Sequence, residues 1–186
     1  MFTDATSEEI NKAMNEAWDA FHQYRKLPLK KRADFMRAIG KELENNEEDL
    51  VQTAMKETNL PEARLKGELA RAVFQLNQYG AAAESGEWLE ARVDTSVLDK
   101  KPPKHDIRKM LVRLGSVVIF GASNFPFTYS TAEGDTACAF AAGCPVVVKA
   151  HPAHALTSEK VTAAILKAVN EQKMPKVFLL TFMEQE

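Results

Sequence analysis

Apolar residues recur every three or four positions through residues 1–84 of the chain. This is the period of one face of an α-helix, so the pattern predicts a lobe of four helices with buried apolar faces. Residues that favour helix ends mark their borders, namely Thr6, Ser7, Pro28, Asn59 and Pro61. The third helix is expected over about Glu47 to Thr58.

Beyond residue 114 short β-branched runs alternate with helical stretches. The predicted order is strand, helix, strand, helix, strand, over Val117–Gly121, about Thr128–Ala142, Val146–Ala150, about Thr157–Gln172 and Val177–Phe182. Such alternation is typical of right-handed parallel βαβ units. The expected fold class is therefore α/β, with residues 115–186 forming the first half of a doubly wound, Rossmann-like sheet.

Residues 85–114 have a different composition, with turn residues, scattered β-formers and the pair Pro102-Pro103. We expect them to form a connection with bridging strand structure between the helical lobe and the sheet. The run "DIRKMLVRLGSVVIFGAS" predicts two strands hinged near Gly115.

Charge and cysteine content restrict the function classes. The chain has 24 basic and 26 acidic residues, interleaved, so no basic face for nucleic acid or an anionic membrane is expected. Cys138 and Cys144 have neither a disulfide nor a metal spacing, and we expect two reduced, buried thiols and no metal site. The sequence has no apolar signal-like start and no 18-residue apolar run, which predicts a cytoplasmic protein.

Candidate chemistry follows two neighbouring strands. The first ends in "GASNFPF", in which Gly121 suits a tight bend and Asn124 is an uncharged donor, and the second ends in Lys149. Ligands of open parallel sheets bind at the carboxyl ends of strands. A helix start near Thr157 and Ser158 adds a feature suited to phosphate or ribose. A turn asparagine and a surface lysine remain the alternative, and no GxGxxG fingerprint is present.

Three segments, "ETNLPEARLKGE", "GASNFPF" and "GDTACAFAAGCPVVVKAHPAH", resemble the aldehyde dehydrogenase superfamily. The form "ASNFP" with "KAHPAH" is similar to its NADP-preferring branch, which contains α-ketoglutaric semialdehyde (2,5-dioxovalerate) dehydrogenases. The similarity extends over about residues 7–180. It implies oxidation of a small aldehyde with NADP, NAD also being possible, and a homo-oligomeric complete enzyme.

The resemblance also implies roles for single residues. Asn124 matches the asparagine whose side-chain amide stabilises the oxyanion formed from the aldehyde. Lys149 matches the lysine that binds the adenine-side ribose or its 2′-phosphate. Phe120, Gly121 and Ser123 would flank the cofactor, although Ser123 stands where many relatives have tryptophan.

Cofactor choice depends on the loop after Lys149. Relatives that prefer NAD commonly have a glutamate three residues after the lysine, where this chain has Pro152. The missing carboxylate removes a charge that would repel a 2′-phosphate. His151 and His154 either add donors or partial charge there, or face solvent.

A polar stripe on the fourth predicted helix offers a substrate contact. Its members are spaced four, three and four residues apart, namely Arg64, Glu68, Arg71 and Gln75. In the family this helix borders the substrate tunnel, so Arg71 could bind the carboxylate of an α-keto acid semialdehyde, with Phe125 also beside the substrate. A surface ladder of ion pairs is the alternative.

The family's nucleophilic cysteine, general-base glutamate and glycine-rich cofactor loop lie beyond the region matched here. Neither Cys138 nor Cys144 is expected to replace the nucleophile. We therefore expect an N-terminal portion of an enzyme that oxidises no aldehyde by itself. The alternatives are a non-catalytic nucleotide-binding or complementing fragment that needs a partner, and a helical adaptor unrelated to redox chemistry.

Overall fold

Four helices open the chain, as its hydrophobic pattern predicts. The structure, a computed structural model, describes residues 3–182. The helices are α1, Ser7–Tyr24; α2, Leu29–Asn45; α3, Glu47–Thr58; and α4, Glu62–Ser85. Thr6 begins α1 with a reciprocal capping box to Glu9, and Asn59 ends α3 in the left-handed region at φ 55°. Both residues satisfy polar backbone groups that a helix end leaves without intrahelical partners.

The connection after α4 forms a small hairpin. Strand β1, Arg92–Asp94, pairs antiparallel with β2, Ile107–Lys109. The prediction of two strands hinged at Gly115 was wrong in one respect, because β2 pairs with β1 and residues 110–116 have no regular structure. Gly115 has φ 137°, a conformation that favours glycine and interrupts an extended run.

A three-stranded parallel sheet follows. Its strands are β3, Val117–Phe120; β4, Val146–Ala150; and β5, Phe178–Phe182, in the order β3-β4-β5. Helices α5, Asp135–Ala142, and α6, Ala155–Glu171, form the two crossovers. This confirms the predicted α/β fold with parallel βαβ units.

One apolar core joins the helices to the sheet. The Phe140 ring on α5 lies 5.2 Å from that of Phe35 and 6.4 Å from that of Phe178, measured between ring centroids. The Tyr24 hydroxyl donates to the Phe140 carbonyl oxygen at 2.8 Å. On the other face of the sheet Val147 packs against α1, so β4 is buried on both sides. The division at residues 84 and 114 stays a prediction.

The segment before α5 departs from the predicted helix. We expected that helix to begin near Thr128, but α5 begins at Asp135 and residues 128–134 form turns. Tyr129 and Gly134 both have positive φ angles, 53° and 60°, which a right-handed helix cannot contain. The Glu133 carboxylate accepts the Tyr129 N–H at 2.8 Å, so a side chain closes the turn instead of a helical carbonyl.

Apolar side chains lie on the surface around the edge strand β3. Leu114 is 94% exposed, Phe120 72% and Val118 43%. Within residues 3–182 no helix combines the length and the apolar character that a membrane span needs.

Candidate functional site

The ends of β3 and β4 lie side by side, as the sequence predicts for parallel strands. Phe120 lies opposite Lys149 in the register, and the Gly121 N–H donates to the Lys149 carbonyl oxygen at 3.0 Å. Lys149 is half-buried. The loop that carries Asn124 therefore leaves the sheet directly beside the only lysine of β4.

Gly121 lets the two strand-end loops approach each other. A Cβ atom at this position would lie 3.3 Å from the Ser130 hydroxyl oxygen and 3.4 Å from the backbone nitrogen of His151. Both distances are at or below the short end of ordinary carbon contacts. A side chain at position 121 would therefore crowd Ser130 in its own loop and lie in contact with the loop that follows β4.

His154 links the loop that follows β4 to the loop that follows β3. It is fully buried, and its Nε2 lies 2.7 Å from the Ala122 carbonyl oxygen. Because a carbonyl oxygen only accepts, Nε2 carries the hydrogen. Of the two alternatives for His154, the one in which it faces solvent was wrong, since the short helical turn after β4 directs it inward.

His151 is half-buried and lies next to Lys149. Burial lowers the pKa of its imidazole, and the electrostatic influence of the neighbouring His154 and Lys149 lowers this pKa further. Its Nδ1 accepts the Ala153 N–H at 3.1 Å. Around neutral pH, His151 is thus a neutral group with its hydrogen on Nε2, and Lys149 supplies the positive charge. Pro152 follows on the exposed surface.

The Asn124 side chain is exposed, while its backbone is held by α4. The Arg64 Nη2 donates to the Asn124 carbonyl oxygen at 2.7 Å, and the Arg64 guanidinium lies 5.1 Å from the Phe125 ring centroid. The rings of Phe125 and Tyr129 meet edge to face at 5.4 Å. Ser123 is exposed beside Asn124.

Arg71 contacts the same loop from a position about two helical turns after Arg64 on α4. Its Nη2 donates to the Tyr129 hydroxyl at 2.8 Å, and its Nε lies 3.3 Å from the buried carboxylate of Glu133. The Arg71 side chain nevertheless remains 45% exposed. The predicted polar stripe on α4 thus contacts the loop after β3, in addition to forming ion pairs within the helix. Tyr129 and Glu133 were missed because only the folded loop brings them to α4.

The start of α6 does not offer the predicted phosphate site. The Glu57 carboxylate on α3 accepts the N–H groups of Leu156 and Thr157, each at 2.8 Å, and the Thr157 hydroxyl at 2.7 Å. Thr157 and Ser158 are fully buried. Glu57 thus already binds the N–H groups at this positive end of the helix. No local sequence pattern predicts the contact.

The two thiols differ in environment. Cys144 is buried, but Cys138 is exposed, so the expectation of two buried thiols was wrong for Cys138, which lies on the outer face of α5. Partial burial and the charge of Asp135 raise the pKa of the Cys138 thiol. A raised pKa disfavours the nucleophilic thiolate. Among the residues that the structure describes, no group of acids, histidines and cysteines could hold a metal ion.

A family model described as the aldehyde dehydrogenase family matches residues 1–181. The chain belongs to the aldehyde dehydrogenase family. It is 42% identical over 176 residues to an α-ketoglutaric semialdehyde dehydrogenase of Acinetobacter baylyi. It is 46% identical over 176 residues to α-ketoglutaric semialdehyde dehydrogenase 2 of Azospirillum brasilense. Each match covers 94% of this chain and 34% of the relative, so the chain spans about a third of their length.

Solved aldehyde dehydrogenase structures share the fold. The glyceraldehyde-3-phosphate dehydrogenase GapN of Methanocaldococcus jannaschii, complexed with NADP, superposes with a TM-score of 0.83 at 18% identity. That match covers 98% of this chain and 38% of GapN. An aldehyde dehydrogenase of Brucella melitensis biovar abortus has the same TM-score and identity, over 97% of this chain and 35% of its own. The predicted fold and the family are confirmed, and the chain is an enzyme chain by family.

Proposed function

We propose that these residues belong to a complete enzyme that oxidises α-ketoglutaric semialdehyde to the corresponding dicarboxylate with NADP. The observation that carries the proposal is the pairing of Phe120 with Lys149, which brings the Asn124 loop and a cation to one sheet edge. Ligands of open α/β sheets bind at such an edge. The names of the two relatives from Acinetobacter and Azospirillum support this choice of substrate.

Asn124 is the proposed oxyanion donor. When a thiolate from the rest of the enzyme adds to the aldehyde carbon, negative charge develops on the aldehyde oxygen. A neutral amide held at that point stabilises the charge without reorganising. The exposed side chain and the tethered backbone of Asn124 suit this role.

Lys149 and its neighbours are the proposed cofactor contacts. NADP, when bound, accepts the hydride that leaves the substrate. Lys149 would pair with the 2′-phosphate, and the neutral His151 could donate from Nε2. The exposed ring of Phe120 and the backbone of Gly121 and Ser123 would flank the cofactor. A donor set of one cation and one neutral imidazole fits a phosphate.

For the 186 residues by themselves, the alternative is a non-catalytic fragment that needs a partner. Two observations favour it. Neither the buried Cys144 nor Cys138, with its raised pKa, is suited to attack an aldehyde. Apolar side chains such as Leu114 and Phe120 are exposed beside the edge strand, where a further segment would cover them.

We predict that Asn124→Ala lowers the rate of single-turnover acylation in the complete enzyme by about 10²–10³-fold, the usual effect of losing one oxyanion donor. Acylation is measured by rapid mixing, and the affinity for NADP and the melting temperature should change little. A variant with normal acylation and a much lower melting temperature would show that Asn124 only forms a turn.

Two controls accompany that measurement. Asn170→Ala removes an exposed asparagine at the C-terminal end of α6 and should leave the rate of acylation unchanged. The 186-residue chain by itself serves as the blank. Aldehyde-dependent NADPH formation by this blank would place a nucleophile within these residues. It would contradict the proposal that the thiolate comes from the rest of the enzyme.

We predict that Pro152→Glu raises the KM for NADP by about tenfold or more relative to the KM for NAD, because a carboxylate would repel the 2′-phosphate near Lys149. Steady-state kinetics with both cofactors measures the ratio. Pro103→Glu, in an exposed loop of the hairpin, is the control for the added charge. A wild-type enzyme that prefers NAD would refute the argument.

We predict that Arg71→Ala raises the KM for α-ketoglutaric semialdehyde by about tenfold, the scale of one charge-assisted hydrogen bond, while the KM for pentanal changes little. Arg71, whose side chain is 45% exposed, would bind the substrate carboxylate beside Phe125. Since Arg71 also donates a hydrogen bond to Tyr129, a purely structural effect would change the KM for both aldehydes equally. Equal changes would therefore remove the substrate role.

A further inference from the structure

A single arginine on α4 holds the backbone on which Asn124 is mounted. The Arg64 Nη2 donates to the Asn124 carbonyl oxygen at 2.7 Å, and the guanidinium carbon lies over the ring of the next residue, Phe125, 5.1 Å from its centroid. One side chain thus makes a hydrogen bond to one loop residue and a cation–π contact to the next. The contact reaches across 60 positions of sequence.

The orientation of Arg64 is itself fixed by a buried acid. The Arg64 Nε lies 3.0 Å from Glu68 Oε1, and the Glu68 side chain is only 8% exposed. The other oxygen of Glu68 is 3.5 Å from the backbone nitrogen of Phe127, which donates to it. The pair therefore spans the turn on both sides of Pro126, and a buried carboxylate of this kind needs its cation.

A second, separate contact holds the remainder of the loop. Arg71 binds the Tyr129 hydroxyl and Glu133, and the Glu133 carboxylate accepts the Tyr129 N–H. Loss of Arg64 would consequently free the residues around Asn124 while the turn at Tyr129 stays in place. Arg64 thus stabilises the first part of the loop, and Arg71 stabilises the second part.

We propose that Arg64 is a positioning residue for Asn124: it fixes the carbonyl side of the Asn124 backbone and thereby the place of the side-chain amide. This inference rests on the proposed oxyanion role of Asn124. A donor acts only from the right place, and a displacement of about 1 Å can reduce a rate by about 10²-fold. Arg64 touches neither substrate nor cofactor in this role.

The kinetic test compares Arg64→Met, Asn124→Ala and the double variant in the complete enzyme. Arg64→Met should slow single-turnover acylation by about 10–10²-fold and leave the KM for NADP unchanged. In the Asn124→Ala background the same substitution should have no further effect, because the donor that it positions is gone. Additive losses would show that Arg64 acts through something else and would overturn the proposal.

Arg64→Lys guards against simple misfolding. Lysine keeps the positive charge that Glu68 needs. Its compact ammonium cannot contact the Phe125 ring and at the same time donate to both Glu68 and the Asn124 carbonyl oxygen, as the guanidinium does. Acylation by this variant should fall between that of wild type and Arg64→Met. A fully active Arg64→Lys enzyme would contradict the need for the planar contact.

Hydrogen–deuterium exchange tests the contact without catalysis. In substrate-free enzyme, Arg64→Met should speed exchange of a peptide covering residues 121–130. Arg37→Met is the matched control, because Arg37 is 40% exposed against 41% for Arg64 and is likewise ion-paired, in its case with Glu84 and Asp34. It should leave that peptide unchanged.

The outcomes separate this inference from the proposed function. Unchanged exchange in Arg64→Met overturns the positioning contact even if Asn124→Ala is slow. Faster exchange with normal acylation, beside a slow Asn124→Ala enzyme, shows a structural contact only and also overturns it. Normal acylation by Asn124→Ala refutes the oxyanion role itself.

Discussion

The parallel pairing of β3 with β4 is the constraint on which the rest of the site depends. Because Phe120 lies opposite Lys149, the loop with Asn124 and the loop with His151 leave the sheet as neighbours. They have to pack on each other, and the missing side chain of Gly121 allows it. The hydrogen bond from the buried His154 to the Ala122 carbonyl then closes the contact.

Three carboxylates extend that constraint to the helices. Glu57 on α3 binds the start of α6, Glu68 on α4 binds the Phe127 N–H, and Glu133 binds the Tyr129 N–H while paired with Arg71 on α4. Each accepts a backbone N–H that lacks a partner in regular structure. The helical lobe therefore shapes the strand-end loops as well as covering the core.

The features predicted from the sequence are those set by local pattern. Periodicity placed α3 and β4 at their observed bounds, and the rule that parallel strands end at one edge correctly predicted that the end of β3 lies beside Lys149 on β4. The start of α5, the burial of His154 and the cap from Glu57 were not predictable in this way. Glu57 lies 100 positions from Thr157, and only the packing of α3 on α6 brings them into contact.

The most direct test of the account is a crystal structure of the complete enzyme with NADP and an unreactive aldehyde analogue. We expect the Asn124 side-chain nitrogen within about 3 Å of the analogue's oxygen, and Lys149 Nζ at a similar distance from the 2′-phosphate. An Asn124 side chain turned away from the oxygen, with the 2′-phosphate bound by other residues, would contradict it.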